Sequence, residues 1–311
     1  MNFDEPFFKQ VMNLADQVKL KEKFGTENHS SITVVGMGGS GVSGRIFSSL
    51  YQKEVVNVID GYNLPDYVNK ETFFIAESYS GNTEETISVV NQAKDRGIKV
   101  HAVTSGGKLA DLADEAIIIP KGLQPREALG YLIMPLLNTF MEGDITDSDL
   151  QNAIVNARSK SDNIGKLAEK IVNSDKIPYV ISWEPFTPIS YRFKTQFNEN
   201  SKMFAISHVL SEQNHNELVP MALNKNMNDR FFYLCVEGDM NSRNARRMDM
   251  VESISHVTFH RISPEGKTIL EQLFYLIHYI DILTVQVAIL RNYDPEDVKV
   301  LENLKKELSK I

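Results

Sequence analysis

The chain has 311 residues, 42% of them hydrophobic and 24% charged, which is ordinary for a globular protein with material for two cores. Its formal net charge of -8 argues against a nucleic-acid partner held by general electrostatics, though a locally positive pocket could still take a small anion. A single cysteine, Cys235 in the apolar run 231–236, excludes an intrachain disulfide framework and a cysteine zinc cluster and reads as core.

The amino terminus carries acid where a signal peptide carries base. No apolar stretch is read as reaching the roughly 18–20 residues that span a bilayer. A cytoplasmic protein with no membrane partner is expected. Helical periodicity covers residues 3–24, with Phe7, Val11, Leu14, Val18 and Leu20 near one stripe. Strands are then predicted at 32–35, 55–59, 72–76, 99–103 and 116–119, with helices at 42–51, 83–96 and 126–141. Strand alternating with helix at this spacing predicts a parallel sheet covered on both faces. The apolar pattern breaks at 142–149, which suggests two domains, 1–150 and 151–311. After helices to about residue 173, a second series follows: strands at 178–182, 203–206, 231–236 and 254–259, helices at 189–200, 242–252, 265–290 and 295–308. The halves read as divergent copies in which only the first keeps serine-rich turns.

The turn 36–41 reads Gly-Met-Gly-Gly-Ser-Gly between a strand and a helix. Glycines there admit positive φ and let backbone N–H groups approach an anion, with the helix N-terminus behind them. Gly36, Gly38 and Gly41 also satisfy G-x-G-x-x-G, and Asp60 ends the next strand, so a nicotinamide-dependent oxidoreductase is a rival reading. The turn 77–86, Glu-Ser-Tyr-Ser-Gly-Asn-Thr-Glu-Glu-Thr, weighs against it. Capping a helix uses one hydroxyl, whereas Ser78, Ser80 and Thr83 offer three, as a terminal phosphate requires. The seven histidines show no H-x-x-H or H-E-x-x-H spacing, so neither a metal nor another cofactor is expected. In the second half, Asn198-Glu199-Asn200 at a predicted helix end and His215 in a polar stretch form an unusual pair. An aldose–ketose isomerase needs a base for the C1–C2 proton and a group to open the sugar ring, and these two could serve.

The two turns resemble the sugar isomerase (SIS) domain. With Asn-Glu-Asn and Asn-His-Asn-Glu added, the whole chain resembles the bifunctional phosphoglucose/phosphomannose isomerase family. The resemblance implies two SIS domains, each a mainly parallel sheet in a flavodoxin-like αβα sandwich. It implies a metal-independent interconversion of glucose 6-phosphate and mannose 6-phosphate with fructose 6-phosphate through a cis-enediol(ate). Gly39 and Ser40 would line the sugar, and Ser78, Ser80 and Thr83 would hold the phosphate. Arg126 would stabilise the enediolate, Glu199 would be the base, and His215 would reach the ring from the partner subunit of a homodimer. Lys305 would assist ring opening, with Lys306 and Lys310 as alternatives. Taken alone, Arg126 and these lysines are ordinary surface charges; only the resemblance reverses that for Arg126. A non-catalytic phosphosugar-binding protein with the same domains is the other alternative.

Overall fold

The computed structural model describes residues 6–141, 143, 146–238 and 242–308. It opens with two short helices, α1 (Pro6–Met12) and α2 (Leu14–Gln17). The first sheet comprises β1 (Ser31–Val35), β2 (Val56–Ile59), β3 (Thr72–Ser78), β4 (Val100–Thr104) and β5 (Glu115–Ile118). All pairs are parallel, in the order β2-β1-β3-β4-β5. Helices α3 (Gly39–Leu50), α4 (Glu84–Asp95) and α5 (Gly107–Leu112) connect the strands, and a 3-10 turn, Pro125–Glu127, leads to α6 (Leu129–Phe140). Every residue of β3 and β4 is buried, which is why both read as near-continuous apolar runs.

Two helices, α7 (Asp147–Ser159) and α8 (Ser161–Ser174), lead into the second half. There β6 (Ile177–Ser182), α9 (Thr187–Glu199) and β7 (Ile206–Val209) are followed by three short helices, α10 (Glu212–Asn216), α11 (Leu218–Leu223) and α12 (Lys225–Asn228). Strand β8 (Phe231–Val236), α13 (Ser242–Ser255), β9 (His260–Ile262), α14 (Ile269–Leu290) and α15 (Lys299–Leu308) complete the chain. The second sheet is also parallel, in the order β7-β6-β8-β9. Set side by side, the two sheets have the same order, with the second lacking the fifth strand, as divergent copies would.

Helix α14 packs against α7, α8, α9 and α1, while α3 packs against α9, so one core runs through both halves. The sequence reading missed what α14 is. An 18-residue stretch of this 22-residue helix has a mean hydropathy of 1.8, long and apolar enough to cross a bilayer by length and composition, yet most of it is buried inside the protein. His278, Asp281 and Thr284 interrupt its apolar sequence, and burial among other elements explains its apolar circumference.

Other expectations shift by local chemistry. The 3–24 helix is two short pieces broken at Asn13, and beyond Val18 the charged run of Lys19, Lys21, Glu22 and Lys23 has no apolar stripe to hold a helix. The stripe itself is right where described, since Phe7, Val11, Leu14 and Val18 are buried. The predicted helix 126–141 divides, because Pro125 opens a separate 3-10 turn that contains Arg126. The strand placed at 203–206 begins at Ile206, since Lys202 turns the chain with a left-handed φ of 51°. The strand placed at 254–259 is the end of α13, closed by His256 at φ 57°, and β9 follows at His260. Helices α14 and α15 begin later than predicted, the former capped by the Thr268 hydroxyl accepting from the Glu271 N–H. Of the predicted domain break at 142–149, residues 142, 144 and 145 lie outside the described residues, as do 1–5, 239–241 and 309–311.

Candidate active site

The carboxyl end of the first sheet gathers three turns. In the first, Gly38 has φ 55° and Gly39 starts α3. A Cβ on Gly39 would stand 2.9 Å from the Pro125 carbonyl oxygen and 3.1 Å from the Arg126 Cα, so only glycine lets the Arg126 turn pack this closely. Ser40 is buried beside it. In the second turn, the Ser78 and Thr83 hydroxyls lie 2.9 Å apart, and the Gly81 N–H donates to Ser78 Oγ at 3.1 Å. The Asn82 N–H donates to Ser80 Oγ at 3.3 Å, while Ser80 itself is exposed. Thr83 is the N-cap of α4 but makes no side-chain cap, which leaves the helix N-terminus open.

A third turn, at 104–107, escaped the sequence reading. Gly81, at φ 69°, presses so close to the Gly106 carbonyl that any Cβ would overlap it at 1.7 Å. The Ser105 hydroxyl donates to the Tyr79 carbonyl at 2.7 Å, and the Leu109 N–H to the Gly81 carbonyl at 2.9 Å. Thr104-Ser-Gly-Gly after a strand was the signal available for it. Glu77, between the first two turns, is fully buried and accepts from the Ser43 hydroxyl at 3.2 Å; burial pushes its carboxyl well above the ordinary carboxylate range.

Arg126 is fixed on every side. Its Nε donates to Asn200 Oδ1 at 2.7 Å, Nη2 to the Pro295 carbonyl at 2.7 Å and Nη1 to Gln124 Oε1 at 3.3 Å. Its Nη1 also stands 3.5 Å from the Glu199 carboxylate, and the Phe7 ring lies 5.1 Å from the guanidinium carbon. Asn200 in turn donates to Thr284 Oγ1 at 3.1 Å. Glu199 is the last residue of α9 and about a third exposed, next to a cavity of about 640 Å³ bordered by Lys202, Phe204, Tyr293 and Leu301. A charged cluster lies beneath: Arg192 Nη2 donates to both oxygens of Asp281 at 2.7 and 2.9 Å, and Gln196 donates to Asp281 and Glu127. Burial and the Asp281 charge push the Glu127 carboxyl up to about 7, while Arg192 keeps its ion pair with Asp281.

The structure therefore brings Gly39, Ser40, Arg126 and Glu199 together, with Ser78, Ser80 and Thr83 at the neighbouring strand end. It does not bring in the others. His215 lies exposed on α10, and no hydrogen bond or ion pair among the described residues joins it to Arg126 or Glu199. Glu217 of the same motif instead accepts from Tyr179 and pairs with His208 at 2.7 Å. Lys305 and Lys306 are on α15, exposed along its whole length, and Lys310 lies outside the described residues. Asp60, the acid of the dinucleotide rival, is paired with Arg45 of α3. Among the described residues no group of three or more His, Cys, Asp or Glu side chains is arranged to hold a metal ion.

Two family models match the chain. Residues 27–137 match the SIS domain, and 160–308 the bacterial phospho-glucose isomerase C-terminal SIS domain. The chain is 43% identical to a bifunctional phosphoglucose/phosphomannose isomerase of Thermoplasma volcanium, covering 97% of this chain and 99% of that one. A protein of the same name from Thermoplasma acidophilum is 40% identical, covering 97% of each. Among solved structures, the C-terminal domain of glucosamine-fructose-6-phosphate aminotransferase from Francisella tularensis aligns with a TM-score of 0.76 at 14% identity, covering 94% of this chain and 99% of that one. That likeness concerns the fold.

Proposed function

The chain belongs to the bifunctional phosphoglucose/phosphomannose isomerase family and is an aldose–ketose isomerase of phosphosugars, and from that premise we propose how its residues divide the work. The observation that carries the reading is the Glu199 carboxylate held 3.5 Å from an Arg126 that is itself packed on the Gly39 turn. The phosphate sits over Ser78, Ser80 and Thr83 at the open N-terminus of α4, where neutral donors and the helix dipole favour a dianion. Glu199 takes the proton from C2 of the open-chain aldose and returns it to C1, so that a cis-enediolate forms and collapses to the ketose. Arg126 meets the negative charge on the enediolate oxygen, the service a metal ion supplies in other isomerases, and the reaction proceeds without a metal.

Ring opening falls to groups that a single chain leaves apart. In a homodimer, His215 is donated across the interface to the partner's sugar ring, and Lys305 is brought in by α15. The substrates are glucose 6-phosphate and mannose 6-phosphate, each interconverted with fructose 6-phosphate. Incubation with fructose 6-phosphate in EDTA should yield both aldose phosphates; one product alone, or none, contradicts this reading. Glu199→Gln should lower kcat by about 10²–10⁴, the usual span for a general base, with KM little changed.

A further inference from the structure

We propose that Lys202 is a further residue of the reaction centre, a positioning residue that fixes Glu199 against Arg126 and adds its charge to theirs. The inference rests on Glu199 being the base. Lys202 lies just past the carboxyl end of α9 with φ 51°, a left-handed conformation that a residue with a Cβ adopts only at a cost. That turn sends the side chain back along the helix it has left. Its ammonium donates to the Glu199 carbonyl at 2.6 Å and to the Pro295 carbonyl at 3.1 Å. The Pro295 oxygen also accepts from Arg126 Nη2 at 2.7 Å, so one carbonyl bridges the two cations that flank Glu199.

The carbonyls at and beyond a helix end need partners, and here side-chain donors supply several of them. Arg291 Nη1 donates to the Ser201 carbonyl at 2.6 Å and to the Lys202 carbonyl at 3.1 Å, and the Ser201 hydroxyl donates to the Thr284 carbonyl at 2.6 Å. These bonds hold backbone. Lys202 does the same for Glu199 itself, and it does so with a formal charge at the edge of the cavity. It also ties the active site to Pro295, four residues before α15, the helix that carries Lys305. The charged groups facing it are Arg126 from the 3-10 turn, Glu199 from α9, and Asp294 and Asp297 from the segment before α15. Burial, and then Arg126, move its ammonium below the ordinary lysine value, so it loses its proton at a lower pH than a surface lysine does.

Two variants test this against a merely structural role. Lys202→Met should lower kcat for fructose 6-phosphate about tenfold to a hundredfold while KM stays within about twofold, because the lost charge acts on the transition state. In the wild type, kcat should fall on the alkaline side as Lys202 deprotonates. In Lys202→Arg, whose charge persists, that fall should disappear whatever the absolute rate. Wild-type kcat in Lys202→Met, or an alkaline fall unchanged in Lys202→Arg, overturns the inference, and the second measurement decides alone if the methionine variant does not fold. Failure of the Glu199 reading would register separately, as a Glu199→Gln enzyme that turns over at the wild-type rate.

Discussion

The two halves share one strand order and use the carboxyl ends of their sheets in opposite ways. In the first, the turn after β1 is glycine and serine, and Gly39 leaves just enough space for the Arg126 backbone. In the second, the turn after β6 carries Trp183 and Phe186, both buried. The Phe186 ring fills the space beside the end of β8, since a Cβ on Gly238 would stand 2.1 Å from it. One sheet end is edged by small residues and the other is packed shut by large ones. The second half then contributes at the far end of α9, where Glu199, Asn200 and Lys202 meet Arg126. Packing of α9 against α3 is what lets a closed half serve an open one.

The contrast can be broken first at its closed side. Phe186→Ala should destabilise the protein by about 3–5 kcal/mol, as for a large core aromatic, while KM for the phosphosugar moves little. Urea denaturation alongside steady-state kinetics measures both, and a raised KM at unchanged stability would place a ligand site where packing is seen. On the open side, Thr83→Ala and Ser80→Ala should each raise KM, by an amount matching about 1.5–3 kcal/mol per hydrogen bond to a charged phosphate, with little loss of stability. Saturation curves that do not change would remove these hydroxyls from the phosphate site.

The smallest expected effect concerns the cluster beneath Arg126. Burial, and then the Asp281 charge, raise the Glu127 carboxyl from its ordinary 4.5 to about 7 in the folded protein. A raised carboxyl binds its proton more tightly in the folded state, so its contribution is full below about 4.5 and is lost as pH rises through about 7. Glu127→Gln should therefore flatten the decline in stability across that window. Urea midpoints measured across it would test this; an undiminished slope in the variant would assign the decline to other groups.

Much of the open half was legible in the sequence because its signals are local. Glycines at 36, 38, 39 and 41, hydroxyls at 78, 80 and 83, and apolar strands between them carry their meaning within a few residues. What was not legible depends on residues far apart. Asn200 orients Arg126 from 74 positions away and is itself held by Thr284 from 84, and neither relation leaves a periodic trace. The bracing of Gly81 by Gly106 joins two turns across β4 in the same way. Lys202 was visible as a charge after Asn-Glu-Asn-Ser, but its left-handed backbone and its return to Glu199 are properties of the fold. The second strand of the second half was misplaced for the same reason, because that lysine turn delays β7 to Ile206.

The division of labour between the halves comes down to one proton. Fructose 6-phosphate incubated in deuterium oxide with the wild-type protein and with Glu199→Gln, followed by proton NMR, reads that proton directly. Deuterium should enter C2 of the aldose phosphates with the wild type and fail to enter with the variant, while the variant still binds the phosphosugar. Exchange at the wild-type rate in Glu199→Gln would contradict the assignment of proton transfer to the end of α9.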